Sequence, residues 1–170
     1  MTRTTFLCAL ALVFSSLGLA GNVPRAAGEL TFKAMDGKQV NLADLKGKFV
    51  AVLFFSTDCP HCQATADKLA PIYSEFHAKG FEILGLAVNP SAAANLDEFA
   101  ADHKVQFPLG LSTRQQWTAF CEMPLMGRHY VPHLVFVDKT GKIVEDHPGM
   151  DREFWLDQEN LIRAAINKYL

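Results

Sequence analysis

The residues with the greatest chemical capacity stand together as Asp58-Cys59-Pro60-His61-Cys62-Gln63. Two thiols separated by two residues on the first turn of a helix can close a small disulfide without moving the backbone. The first thiol would sit at the helix N-terminus, where unpaired N–H groups and the positive end of the dipole stabilise a thiolate. Pro60 suits the first helical position, because its fixed φ is helical and its missing N–H would have no partner there. Cys59 therefore reads as the exposed nucleophile. Cys62, one turn inside, reads as the thiol that resolves a mixed disulfide. His61 places positive charge beside the Cys59 sulfur, which favours the reduced form and makes the disulfide a better oxidant. Asp58 acts in the opposite sense, so the direction of exchange stays open between oxidant, reductant and isomerase. Other uses of the pair fit poorly. Zinc needs a second Cys-x-x-Cys or a spaced His pair, haem attachment needs His where Gln63 stands, and a permanent structural disulfide would make no use of the helix start.

The rest of the chain bounds what this pair can belong to. It has 170 residues, 49% hydrophobic and 20% charged, enough for one domain with a full core. Lys and Arg number 16 against 18 Asp and Glu, a formal net charge of −2 with no basic stripe, which argues against a nucleic-acid partner. No repeat or low-complexity tract is present. The N-terminus has one basic residue, Arg3, then an apolar stretch from Phe6 to Leu19 and the small residues Gly18 and Ala20. Residues 1–20 therefore read as a secretory signal peptide. The apolar stretch is short for a span, which needs about 20 residues; left uncleaved, it would attach the chain to a membrane. The expected location is periplasmic or otherwise exported. Cys8 falls inside this segment, leaving Cys59, Cys62 and Cys121, an odd number that excludes a static disulfide framework.

Elements follow from pattern and punctuation. Residues 21–28 read as a flexible lead-in, and 29–170 as one domain. Leu30-Thr31-Phe32 and Val40-Asn41-Leu42 flank Asp36-Gly37, a hairpin turn signal. Phe49 to Phe55 is a continuous apolar run, the mark of a central strand buried on both faces. A helix follows from Pro60 to Lys79, stopped by Gly80. Phe81 to Val88 is a second buried strand, Asn89 to His103 a helix, Phe107 to Leu111 a strand and Thr113 to Phe120 a helix. Leu134 to Val137 and Lys142 to Asp146 form a closing hairpin. Asp151 to Leu170 is a final helix with Phe154, Leu161, Ile162, Ala165 and Tyr169 near one face. The expected class is α/β, with a central mixed sheet flanked by helices.

With Met35-Asp36-Gly37-Lys38, Leu42 to Lys48, the buried strand, the Cys-x-x-Cys and Val131-Pro132 before Leu134 to Asp138, the chain resembles the thioredoxin-like superfamily. More closely, it resembles exported thiol–disulfide oxidoreductases of the TlpA/ResA type. That resemblance implies a thioredoxin fold with an N-terminal β-hairpin and an extra βα insertion between Cys62 and Pro132. It implies protein thiols or disulfides as substrates, a redox partner protein and no cofactor. It makes Pro132 a cis proline facing the thiol pair, with the Val131 backbone receiving the partner's extended segment and His133 near the sulfurs. The Pro60-His61 dipeptide matches DsbA-type oxidants. Three departures stand out: Thr65 where TlpA/ResA-type reductases often carry Glu, Leu53 where thioredoxins place a buried acid, and Asp58 where Trp is customary.

Cys121 reads either as a third redox thiol or as a small buried residue at a helix end. His133 reads as a proton shuttle or a structural hydrogen-bond partner, and His129 as an exposed loop residue. Cys59, Cys62, His133, Met123 and Met126 together suggest a competing class, a periplasmic copper-binding chaperone of the same fold. A peroxiredoxin-like peroxidase would need Pro and Thr before the nucleophile, where Val52 and Ser56 stand.

Overall fold

The computed structural model describes residues 22–124 and 126–170. The signal-peptide expectation for 1–20 lies outside the described residues. Strand β1 is Arg25–Ala26, and the hairpin is β2, Thr31–Lys33, with β3, Gln39–Asn41. The apolar run becomes β4, Phe49–Phe55, buried along its whole length. Helix α1 spans Pro60–Phe76, continues as a 3-10 turn and stops at Gly80, whose φ of 102° is open chiefly to glycine. Then come β5, Phe81–Ala87, α2, Ala92–Asp102, β6, Leu109–Leu111, and α3, Arg114–Phe120, capped by Thr113. Strands β7, His133–Val137, and β8, Lys142–His147, precede α4, Arg152–Leu156, and α5, Gln158–Tyr169.

The six-stranded sheet runs β1-β8-β7-β4-β5-β6, with β4 parallel to β5 and antiparallel to β7, so it is mixed as expected. Alternation along β4 divides its side chains between two cores. Phe49, Ala51, Leu53 and Phe55 join α1, α2, α4 and α5 on one face. Val50, Val52 and Phe54 join Trp117 and Phe120 of α3 and Phe32 and Leu42 of the hairpin region on the other. Covering both faces is what allows β4 and β5 to be apolar without alternation.

Two sequence expectations are corrected. The lead-in is not flexible throughout, since Arg25–Ala26 pair with Ile143 and Lys142 as an edge strand. A two-residue strand has too little length to show a period. The final helix is two helices, broken at Asp157, whose φ of −126° and ψ of 30° leave the helical region. Leu161, expected on the buried face, is 39% exposed, while Gln158 is turned inward. No helix among the described residues is long and apolar enough to cross a membrane.

Candidate active site

β4 ends at Phe55, and the chain turns through Ser56, Thr57 and Asp58 before α1. Side chains brace the turn. The Thr57 N–H donates to Asn89 Oδ1 at 3.1 Å, Asn89 Nδ2 donates to Thr57 Oγ1 at 2.9 Å, and Gln63 Nε2 donates to Thr57 O at 3.0 Å. The Ser56 hydroxyl donates to the Asp58 carboxylate. Asn89 was legible only as a helix start, and its bracing role depends on β5 ending beside β4. Cys59 then takes extended angles, φ −93° and ψ 116°, as the residue flanking α1, and Pro60 occupies the first turn as expected.

The two thiols differ in access. Cys59 is half-buried, whereas Cys62 has 0% exposure in the core beneath α1. The Ser56 N–H donates to Cys62 Sγ at 3.5 Å. Burial pushes the Cys62 thiol far up, the Cys59 side chain and the Asp58 charge add to this, and the Ser56 amide opposes it only in part. Cys62 is thus a buried thiol beneath the more accessible Cys59, in surroundings that disfavour its thiolate.

The Val131–Pro132 bond is cis, and Val131 O lies 4.0 Å from Cys59 Sγ, so sequence-distant residues face the pair as the resemblance implied. Beside them opens a cavity of ≈ 430 Å³ with His61, Thr65, Val131, Pro132, Trp155 and Gln158 in its walls. Thr65 is fully buried and shares its hydroxyl hydrogen between His61 O and Gln158 Oε1, 2.9 Å from each. A neutral hydrogen-bonded pair therefore occupies this position, with no carboxylate. Leu53 packs in the same core as Cys62. The buried acid on β5, Glu82, sits at the strand's opposite end with Lys48 at 3.1 Å.

His133 does not face the thiols. It follows Pro132, but strand alternation points its ring to the α3 side, against Phe54 and Trp117. There Trp117 Nε1 donates to His133 Nδ1 at 3.1 Å, and His133 Nε2 lies 2.6 Å from Asp146 Oδ1. An indole N–H can only donate, so Nδ1 accepts and Nε2–H donates to the carboxylate. Asp146 Oδ2 accepts from Arg25 at 2.6 Å. The structural role weighed for His133 is the one observed. Met123 packs on that same α3 side, so the suggested copper set is divided by the sheet, with Cys62 on the other face. Cys121 is a buried residue ending α3, and burial pushes its thiol well up. His129 is half-buried, its Nε2 2.9 Å from Pro124 O and its ring edge-on to Trp117. Of the positions weighed for peroxide chemistry, Val52 is buried on the α3 side, and the Ser56 hydroxyl is held by Asp58.

A thiol pair at the start of the helix after a central strand, faced by a cis proline on a mixed sheet, defines a thioredoxin-fold thiol–disulfide oxidoreductase. The chain belongs to the AhpC/TSA family, which it matches over residues 23–146. It is 30% identical over 165 residues to the thiol-disulfide oxidoreductase ResA of Bacillus subtilis, covering 94% of this chain and 88% of that protein. The thioredoxin domain of a thiol-disulfide oxidoreductase from Bacteroides vulgatus superposes with a TM-score of 0.64 at 26% identity, covering 83% of this chain and 98% of that one. A thioredoxin-family thiol:disulfide interchange protein from Chlorobium tepidum superposes at 0.69 and 24% identity, with coverage of 84% and 96%.

Proposed function

We propose that the protein exchanges disulfides with cysteines of other proteins outside the cytoplasm, with Cys59 as nucleophile and Cys62 as resolving thiol. In the reducing direction, the Cys59 thiolate attacks one sulfur of the partner's disulfide. A Cys59–partner S–S bond forms as the partner's own S–S bond breaks, and the departing partner sulfur takes a proton. Cys62 then gives up its proton and attacks the Cys59 sulfur, closing the enzyme disulfide and releasing the second partner thiol. Two electrons and two protons pass from enzyme to partner, and oxidation of a partner dithiol is the reverse. The dithiol carries the electrons itself.

The observation that carries this reading is the unequal pair, one sulfur reachable beside Val131 and Pro132 and one sealed beneath it. Val131 and Pro132 would present the partner's extended segment to Cys59, and Pro60 and His61 would set the electrostatics at the helix start. Cys59→Ser is expected to abolish exchange, and Cys62→Ser to accumulate mixed disulfides visible by intact-mass spectrometry. A fully active Cys59→Ser protein would sink the assignment. Equilibration with glutathione buffers then assigns the direction.

A further inference from the structure

The cavity beside the thiols extends beyond the residues that handle sulfur. Its far wall is the segment before α4 and α4 itself, through Gly149, Met150, Arg152, Trp155 and Leu156. This wall is unusually apolar for a surface. Met150 is 71% exposed and Leu156 78% exposed, among the most exposed large hydrophobic side chains of the described residues. Trp155 is held in place, its Nε1 donating to Pro148 O at 2.8 Å. Apolar side chains left in water around a reactive group mark a surface that another molecule covers.

Charge selects among the possible occupants. Arg152 and His61 are the ionisable side chains in the cavity wall, and no Asp or Glu lines it. Arg152 is exposed, and no hydrogen bond or ion pair to its side chain is found among the described residues. Its neighbour Asp151 is already engaged, capping Phe154 N and binding His147. An unpaired guanidinium over an apolar floor favours a ligand that brings both an apolar side chain and a carboxylate.

We propose that this groove receives an extended segment of a partner protein in which an apolar residue and an acidic one lie beside the reactive cysteine. The apolar side chain lies among Met150, Trp155 and Leu156, and the carboxylate pairs with Arg152. This inference rests on the thiol-exchange reading and adds to it the chemistry of the preferred partner.

The test uses the reduced full chain and two synthetic peptide disulfides. Each is a dimer of a one-cysteine peptide in which leucine and then either glutamate or lysine stand outward from the cysteine on both sides. Rates are divided by those of the same peptides with dithiothreitol, which removes intrinsic reactivity. The normalised kcat/KM is expected to favour the glutamate peptide by about fivefold, the scale of an exposed ion pair exchanged for a like-charge contact. The preference should shrink towards unity at about 1 M salt, persist in Arg152→Lys and invert in Arg152→Glu. Equal rates for the two peptides, or a preference that Arg152→Glu leaves unmoved, would overturn the proposal while leaving thiol exchange intact. Uncharged 2-hydroxyethyl disulfide separates the two readings, since no exchange with it or with either peptide would overturn the redox reading and this one together.

Discussion

The residue with the most at stake outside the thiol pair is Asp146. Its side chain is 12% exposed and receives hydrogen bonds from Arg25 and His133, linking β1, β7 and β8. Burial alone would raise its pKa, but the His133 hydrogen bond and the Arg25 guanidinium hold it below the ordinary value of 3.8. Its stabilisation is therefore present above that value and lost as pH falls through the folded one. Asp146→Ala would take the nearer carboxylate from the largely buried Arg25, leaving it Glu122 at 3.6 Å, and would remove the acceptor of His133, a change that should cost about 1.5–3 kcal/mol. Urea denaturation at pH 7 should show that loss. The acid-induced decline of wild-type stability below about pH 4 should be smaller in Asp146→Asn. A double-mutant cycle with Arg25→Ala should give a coupling of about 1 kcal/mol or more if the pair acts directly. Thr65 presents a milder case. Thr65→Val leaves the buried Gln158 amide without its partner and should cost about 1–3 kcal/mol.

At the scale of elements, α4 is the piece that sequence reasoning mistook and the site depends on. The long strands were legible because uninterrupted apolar runs such as Phe49 to Phe55 have one economical burial, and Pro60 marked the start of α1. The break at Asp157 was hidden by continuing helical composition on both sides. What breaks the helix is tertiary: Gln158 turns inward to Thr65, and Leu156 turns out to the groove. His133 was misplaced for a related reason, since proximity to Pro132 in sequence says nothing about strand face until the register with β4 is known. The docking of α4 carries its own pH dependence. His147 stacks on Phe154 with centroids 3.7 Å apart, and Nδ1 lies 2.8 Å from Asp151, the α4 cap. Burial works against its charged form, but hydrogen bonds to Glu145 and Asp151 raise its pKa above 6.5. That contribution is complete below about pH 6.5 and fades as pH rises through the folded value. The stability advantage of wild type over His147→Gln should therefore be larger at pH 6 than at pH 9, followed by denaturation with Trp155 as an added fluorescence reporter. Gly149 ties the same segment to the cis-proline loop. A Cβ there would stand 2.5 Å from Tyr130 O, so Gly149→Ala must push one segment away from the other. It should cost about 1–3 kcal/mol, and it should raise KM for peptide disulfides more than it lowers kcat.

Over the whole molecule, stability and reactivity are placed at different depths. Strands β4, β5 and β7 form the middle of the sheet, each paired on both sides and buried along its length. The reactive sulfur and the groove sit where this rigid centre meets short, exposed pieces: the Ser56 to Asp58 turn, the segment before Pro132, and the five-residue α4. Amides in the central strands have no route to solvent except global unfolding, whereas α4 can lift while the sheet stays intact. Native-state hydrogen exchange should therefore show β4 and β5 amides opening at the full unfolding free energy, and the amides of α4 opening well below it. Protection of α4 should increase in a Cys62→Ser protein trapped as a mixed disulfide with the glutamate peptide, because the occupied groove binds α4 to its partner. Uniform protection of α4 and β4 in the free protein would mean that the groove wall is as rigid as the core, and that α4 does not adjust to what it receives.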